Sequence, residues 1–251
     1  DRAGITSTEL STVARKLAAE AKGLRIDLRE DDRGVMRTDD GPRAALRRAG
    51  VAFEVRGQEY ASLRDGYAAR PKGLVLPILP WLKVSGLFFP YTGEPSVGLE
   101  QPDHDRLFAA CHELAHQHGW AREDEANFNG YAVCRRHPDA DYRYAAAQEA
   151  LGYALWALRR VDGDAAAAVL ATIDDAVLRD CQAWRDFWSL YDSRLGYSAL
   201  RIYDAYLKVQ VQEDGIDISG VMVELLVADL RRDAALCRES FTSRSSESPR
   251  S

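Results

Sequence analysis

The sequence is short of the features that mark several protein classes. Its four cysteines, Cys111, Cys134, Cys181 and Cys237, are scattered and form no C-x-x-C pair. That argues against a disulfide scaffold or a cysteine zinc knuckle and leaves the redox compartment open. Basic stripes and basic tails are absent: 33 Lys+Arg stand against 39 Asp+Glu, a formal charge of −6, which argues against nucleic acid as the main partner. No clean apolar run is present, since the longest, residues 73–91, contains Pro77, Pro80, Lys83 and Pro90 and is unsuited to a membrane helix. There is no internal repeat. The chain begins at Asp1 without Met or a signal-like apolar segment, as expected of a mature or trimmed piece of a longer protein.

What is present is ordinary for a globular chain. The 251 residues are 46% hydrophobic and 29% charged, which excludes wholesale disorder. That length buries roughly 70–75% of the unfolded surface. Residues 6–23 carry Leu10, Val13, Ala14, Leu17 and Ala18 at helical spacing. Residues 42–50 read as a second helix stopped by glycine. Residues 51–55 and 73–84 have strand composition, with prolines that suit edges. Residues 89–94 read as a turn, and 96–99 as a short strand. From Asp103 the pattern is helical almost to the end, with breaks at Gly119, His137-Pro138, Asp162-Gly163, Gly196, Gly215 and Gly220. Residues 144–158 are apolar on most sides, as in a buried central helix. Trp184, Phe187, Trp188 and Tyr191 belong to another helix and read as packing residues. The expectation is an α+β fold, predominantly α-helical: one domain over residues 1–239, with a small mixed sheet in its first hundred residues and then a helical body. The Ser-rich tail, 240–251, is expected to be disordered.

The chemistry sits in His112-Glu113-Leu114-Ala115-His116, an H-E-x-x-H motif. On a helix buried through Leu107, Phe108, Cys111, Leu114 and Ala115, two histidines four apart project from one face, one turn apart. That is the separation two nitrogens need to share one zinc. Glu113 lies about 100° around the helix. There it reaches a metal-bound water without binding the metal, the place of a general base.

Two histidines leave a catalytic zinc one protein ligand short. Gly119 lets the chain reverse, and Arg122 stands where a third histidine would follow in a metzincin. The acidic run Glu123-Asp124-Glu125 opens a second helix. On it Glu123, Ala126, Asn127 and Gly130 share a face small enough for two helices to approach closely, pointing Glu123 at the histidines. Glu125 lies about 200° away and is a weaker candidate, and Asp124 is weaker still. His118 falls about 200° from His116, while His104 and His137 read as surface residues. A solvated helix start and a chance motif are the bland alternatives.

The run 110–117, Gly119 and the run 121–128 together resemble a bacterial family of uncharacterised, usually membrane-anchored H-E-x-x-H predicted zinc metallopeptidases, gluzincin-like and catalogued as a domain of unknown function. Residues 89–94, 142–144, 203–208 and 212–215 carry the resemblance further, so that it covers about 24–231. The chain departs from it at Ile216 to Ser219, where a tyrosine is expected near the serine. The resemblance implies a Zn²⁺ enzyme acting on a peptide or protein substrate, tethered by a preceding membrane segment with its soluble domain extracytoplasmic. The E-x-x-A-N spacing is also similar to the third-ligand helix of anti-repressor metallopeptidases and to the E-x-x-A-D of CAAX-type proteases, which implies Glu123 as the ligand. The expected assignment is therefore His112, His116 and Glu123 on zinc, Glu113 as base, and Tyr203, Tyr206 or His118 as oxyanion donor. A catalytically silent zinc-binding sensor or scaffold, and a purely structural helical interaction domain, are the competing functions.

Overall fold

The first helix, α1 (Ser7–Arg25), starts on a capping box. Thr6 Oγ1 accepts the Glu9 N–H at 3.2 Å, and the Glu9 carboxylate accepts the Thr6 N–H at 3.0 Å. Its apolar stripe, Leu10 through Ala21, is buried, as the period predicts. The structure, a computed structural model, describes residues 4–57, 72–74, 78–192 and 222–232. Next come α2 (Pro42–Arg48), with proline in its first turn, and α3 (Gly50–Gly57). Residues 51–55, expected as a strand, are therefore helical. Ala52 and Phe53 are buried while Glu54 is exposed, and Phe53 stacks on His118 at 4.3 Å. Tertiary docking overrides the β-propensity of two valines and a phenylalanine.

The sheet is small and mixed. Strands β1 (Lys72–Leu74), β2 (Gly86–Phe89) and β3 (Glu94–Gly98) lie in the order β1-β3-β2, β1 parallel and β2 antiparallel to β3. Between the first two, α4 (Ile78–Trp81) interrupts what reads as one strand over 73–84. The expected turn closes the β2–β3 hairpin: Thr92 and Gly93 N–H groups both donate to the Phe89 carbonyl. Gln117 Nε2 donates to the Gly93 carbonyl at 2.7 Å, fastening this hairpin to the end of the next helix.

The helical body comprises α5 (Asp103–Gln117), α6 (Glu123–Cys134), α7 (Ala140–Val161), α8 (Gly163–Leu170) and α9 (Asp175–Ser189). Asp162 and Asp174 cap α8 and α9 by accepting the Ala165 and Ala176 N–H groups. Residues 222–232 are also helical. The breaks expected at Gly196, Gly215 and Gly220, and the tail 240–251, lie outside the described residues. The fold is α+β and predominantly helical, as expected. Its interior holds a polar hub: fully buried Asp180 accepts from Arg25 Nε at 2.7 Å, from the Met36 N–H at 2.8 Å and from the Tyr144 hydroxyl. This one carboxylate joins α1, the 30–36 turn, α7 and α9.

Candidate metal centre

Two helices make the site, and two glycines let them do so. After α5 the chain reverses through Gly119, whose φ of +100° a side chain would resist. Helix α6 then lies against α5 so closely that a Cβ on Gly130 would stand 3.1 Å from His112 Cα and 3.2 Å from its nitrogen. Ala126, one turn earlier on that face, is fully buried. The small face expected from the sequence is thus the contact surface, and Glu123 at its head reaches the α5 histidines.

The three expected ligands come together. His112 Nε2 and His116 Nε2 stand 3.1 Å apart, with the imidazole planes near perpendicular at 88°. One Glu123 oxygen lies 3.3 Å from His112 Nε2 and the other 3.7 Å from His116 Nε2. Donors held tetrahedrally at 2.0–2.1 Å from one zinc are about 3.3–3.4 Å apart, so these spacings suit a metal. Among the described residues this is the one cluster of three such groups so arranged. The His116 Nδ1, 2.7 Å from the Trp120 carbonyl, carries its proton there and leaves a lone pair on Nε2. Two imidazole nitrogens facing each other at this distance require a proton or a cation between them. Burial disfavours the His112 imidazolium, but Glu123, Glu113 and Asn127 outweigh it and raise its pKa to about 9. Burial likewise opposes the Glu123 carboxylate, and the two histidines hold its pKa far below the usual carboxylate range.

Glu113 does not join that cluster. It is buried and packs under the sheet, where a Cβ on Gly86 would come within 2.6 Å of its Oε1. Burial lifts its pKa to about 7 against the pull of His112 and His116. Strand β2 thus runs beside α5, with Gly86 over Glu113 and the Phe88 ring stacked 6.3 Å from that of His116. Among the described residues β1 and β2 are the two outer strands, while β3 is paired on both sides.

The remaining sequence candidates fall elsewhere. Asp124 is buried in a 2.7 Å ion pair with Arg122, and Glu125 is exposed. His118 stacks on Phe53, and its Nδ1 bonds the Leu114 carbonyl. His104 and His137, read as surface residues, are 4% and 1% exposed. His137 stacks on Tyr142 and bonds the Arg48 carbonyl and the Asp139 N–H. His104 packs edge-on to Tyr144, and burial lowers its pKa to about 4. Tyr203, Tyr206 and residues 216–219 lie outside the described residues.

Sequence reasoning missed two residues of α7. Glu149 and Tyr153, one turn apart, are partly buried, and neither makes a hydrogen bond among the described residues. Burial, then Asp105, raises the Glu149 pKa to about 7, against the pull of His112. Burial, then Glu149 and Glu123, pushes the Tyr153 phenol well above its ordinary value and keeps it a neutral O–H donor. Both therefore lie within electrostatic reach of the histidine–glutamate cluster. The i, i+4 spacing was visible, but nothing in the sequence said which way α7 faces.

The fold and this cluster give a helical α+β domain carrying an H-E-x-x-H helix. The chain belongs to the family described as protein of unknown function (DUF3810), whose model matches residues 1–227. No curated protein and no solved structure matches the chain.

Proposed function

We propose that the protein is a zinc-dependent peptidase. The observation that carries this reading is the convergence of His112 Nε2, His116 Nε2 and the Glu123 carboxylate at 3.1–3.7 Å, with an unligating glutamate between the two histidines in sequence. Those three residues would hold the metal. When bound, zinc supplies Lewis acidity that polarises a carbonyl and brings the pKa of water towards about 7. Glu113 then takes the proton from the attacking water and returns it to the departing amine. The Trp120 carbonyl orients His116, and Asn127 flanks His112. Tyr153, neutral and without a partner among the described residues, donates a hydrogen bond from its hydroxyl to the developing oxyanion. The outer edge of β2 receives an extended peptide by backbone pairing.

The resemblance noted above further proposes a tether in a preceding membrane segment and an extracytoplasmic domain. Among the described residues, no helix is long and apolar enough to cross a membrane. The deciding experiment is Glu113→Gln, assayed on a mixed peptide library by mass spectrometry alongside zinc content. The variant keeps one zinc per chain and loses at least a hundredfold in cleavage rate. Unchanged cleavage would exclude Glu113 as the base, and a wild-type protein that binds zinc but cleaves nothing would favour a silent sensor or scaffold.

A further inference from the structure

The pairing of β2 with β3 decides which backbone groups β2 offers on its other side. One residue before β2, Ser85 falls opposite Gly98, and the Gly98 N–H donates to the Ser85 carbonyl at 2.9 Å. Opposed residues of an antiparallel ladder alternate between bonded and non-bonded pairs. Leu87–Ser96 and Phe89–Glu94 are therefore bonded pairs, and Gly86–Val97 and Phe88–Pro95 are not. Proline at position 95, with no N–H to give, agrees with that phase. The N–H and C=O groups of Gly86 and Phe88 thus point away from β3, and no other described residue bonds them.

The two faces of the strand differ as well. Gly86 and Phe88 face α5: a Cβ on Gly86 would come within 2.6 Å of Glu113 Oε1, and the Phe88 ring stacks 6.3 Å from that of His116. Side chains alternate along a strand, so Leu87 and Phe89 point the other way, where they are 38% and 44% exposed. They form a short apolar shelf on the outer face of the sheet, beside the open backbone groups. Proteins usually guard such an edge with charge or proline, yet residues 86–89 carry neither.

We propose that Leu87 and Phe89 set substrate specificity, selecting peptides with apolar residues at alternate positions. The peptide adds antiparallel to β2, because each outward-facing residue then exchanges an N–H and a C=O bond with a single partner. Peptide residues opposite Gly86 and Phe88 make those bonds and turn their side chains towards α5. Peptide residues opposite Leu87 and Phe89 lay theirs on the shelf as cross-strand neighbours, where an apolar group gains and a polar one does not. This deepens the peptidase reading and rests on it for calling the added strand a substrate.

The test uses the full chain carrying Glu113→Gln, supplied with zinc, so that no probe is consumed. Two acetylated peptide amides, Thr-Val-Thr-Val-Thr and Thr-Thr-Thr-Thr-Thr, differ only in valine against its isostere and are titrated by calorimetry. The valine probe binds about fivefold more tightly or better. Leu87→Thr with Phe89→Thr brings the two probes within about twofold of each other, while the Tyr91→Ser control, fully exposed in the turn beyond the strand, leaves the preference intact. N-methylation of the central threonine, whose N–H faces a β2 carbonyl, abolishes binding. N-methylation of either valine, whose N–H points away, leaves binding in place. Equal affinities, no binding of either probe, a preference that survives the double variant, or the reverse N-methyl pattern would overturn the proposal. Zinc stoichiometry and the cleavage assay of Glu113→Gln report on the peptidase reading independently, so either can fail while the other stands.

Discussion

Adding one methyl group at Gly130 tests the helix contact on which the site depends. The new Cβ would sit 3.1 Å from His112 Cα, 3.2 Å from its nitrogen and 3.4 Å from the Cys111 carbonyl carbon. All three are backbone atoms that cannot rotate away, and unstrained carbon contacts lie at about 3.5–4.0 Å. Helices α5 and α6 must therefore part by a few tenths of an ångström, with an overpacking cost of about 1–3 kcal/mol. Alanine's better helix propensity returns about 0.8–1 kcal/mol. The net expectation for Gly130→Ala is ~0–2 kcal/mol of destabilisation, or a melting point lower by up to about 4–8 °C in a chain of this size. Gly152 on α7 is the control, because nothing lies within 4 Å of its added Cβ. Gly152→Ala receives the propensity gain alone and should raise the melting point by about 2–4 °C. Zinc affinity separates the two further: shifting His112 relative to Glu123 weakens binding at least tenfold in Gly130→Ala and leaves Gly152→Ala unchanged. Calorimetric melting curves and competition with a zinc indicator measure both effects. Equal melting points and equal zinc affinities for the two variants would refute the close-contact argument.

Other expectations follow from the same geometry. Gly86→Ala places a methyl within 2.6–2.9 Å of Glu113 side-chain atoms, so zinc content should hold while peptide cleavage falls about 10²–10⁴-fold, the contribution of a general base. Asp180→Ala removes the buried partner of Arg25 Nε, leaving it the half-exposed Glu30, and also leaves the Met36 N–H and the Tyr144 hydroxyl without their acceptor. It should cost about 3–5 kcal/mol, read from chemical denaturation. Asp105 gives a pH dependence: burial raises its pKa from 3.8 to about 6, against hydrogen bonds from Trp188 and Trp184. The native chain thus keeps a proton that the unfolded chain releases between about pH 4 and 6, and stability falls as pH rises through that window. Asp105→Asn flattens this segment of the melting-point profile, and an unaltered profile would show that Asp105 titrates normally.

The site was more legible than the frame around it. His112, Glu113 and His116 declare their own geometry through helical spacing, and Gly119 with the acidic run marks the reversal into α6. The Glu123–Gly130 face was readable because small residues at steps of three and four have one obvious structural use. Local chemistry set all of that. Residues 51–55 misled because two valines and a phenylalanine favour a strand until Phe53 finds His118 to stack on. Strand β2 was missed: its glycine and two phenylalanines form no alternation of polar and apolar residues, and its role comes from pairing with β3. His104 and His137 looked superficial because a histidine beside an acid or a proline usually is, yet both sit in the interior, where His137 finds backbone partners. Glu149 and Tyr153 lie 37 and 41 positions beyond His112 on α7, and only the packing of that helix on α5 decides what they face. Such long-range placement leaves no periodic trace.

The measurement that bears most directly on the central claim is anomalous diffraction at the zinc edge from crystals grown with the metal, paired with zinc stoichiometry of His112→Ala and Glu123→Ala. The account predicts one peak per chain bounded by His112 Nε2, His116 Nε2 and a Glu123 oxygen, and loss of the metal in both variants. A peak held by other groups, or wild-type protein that takes up no zinc, would contradict it.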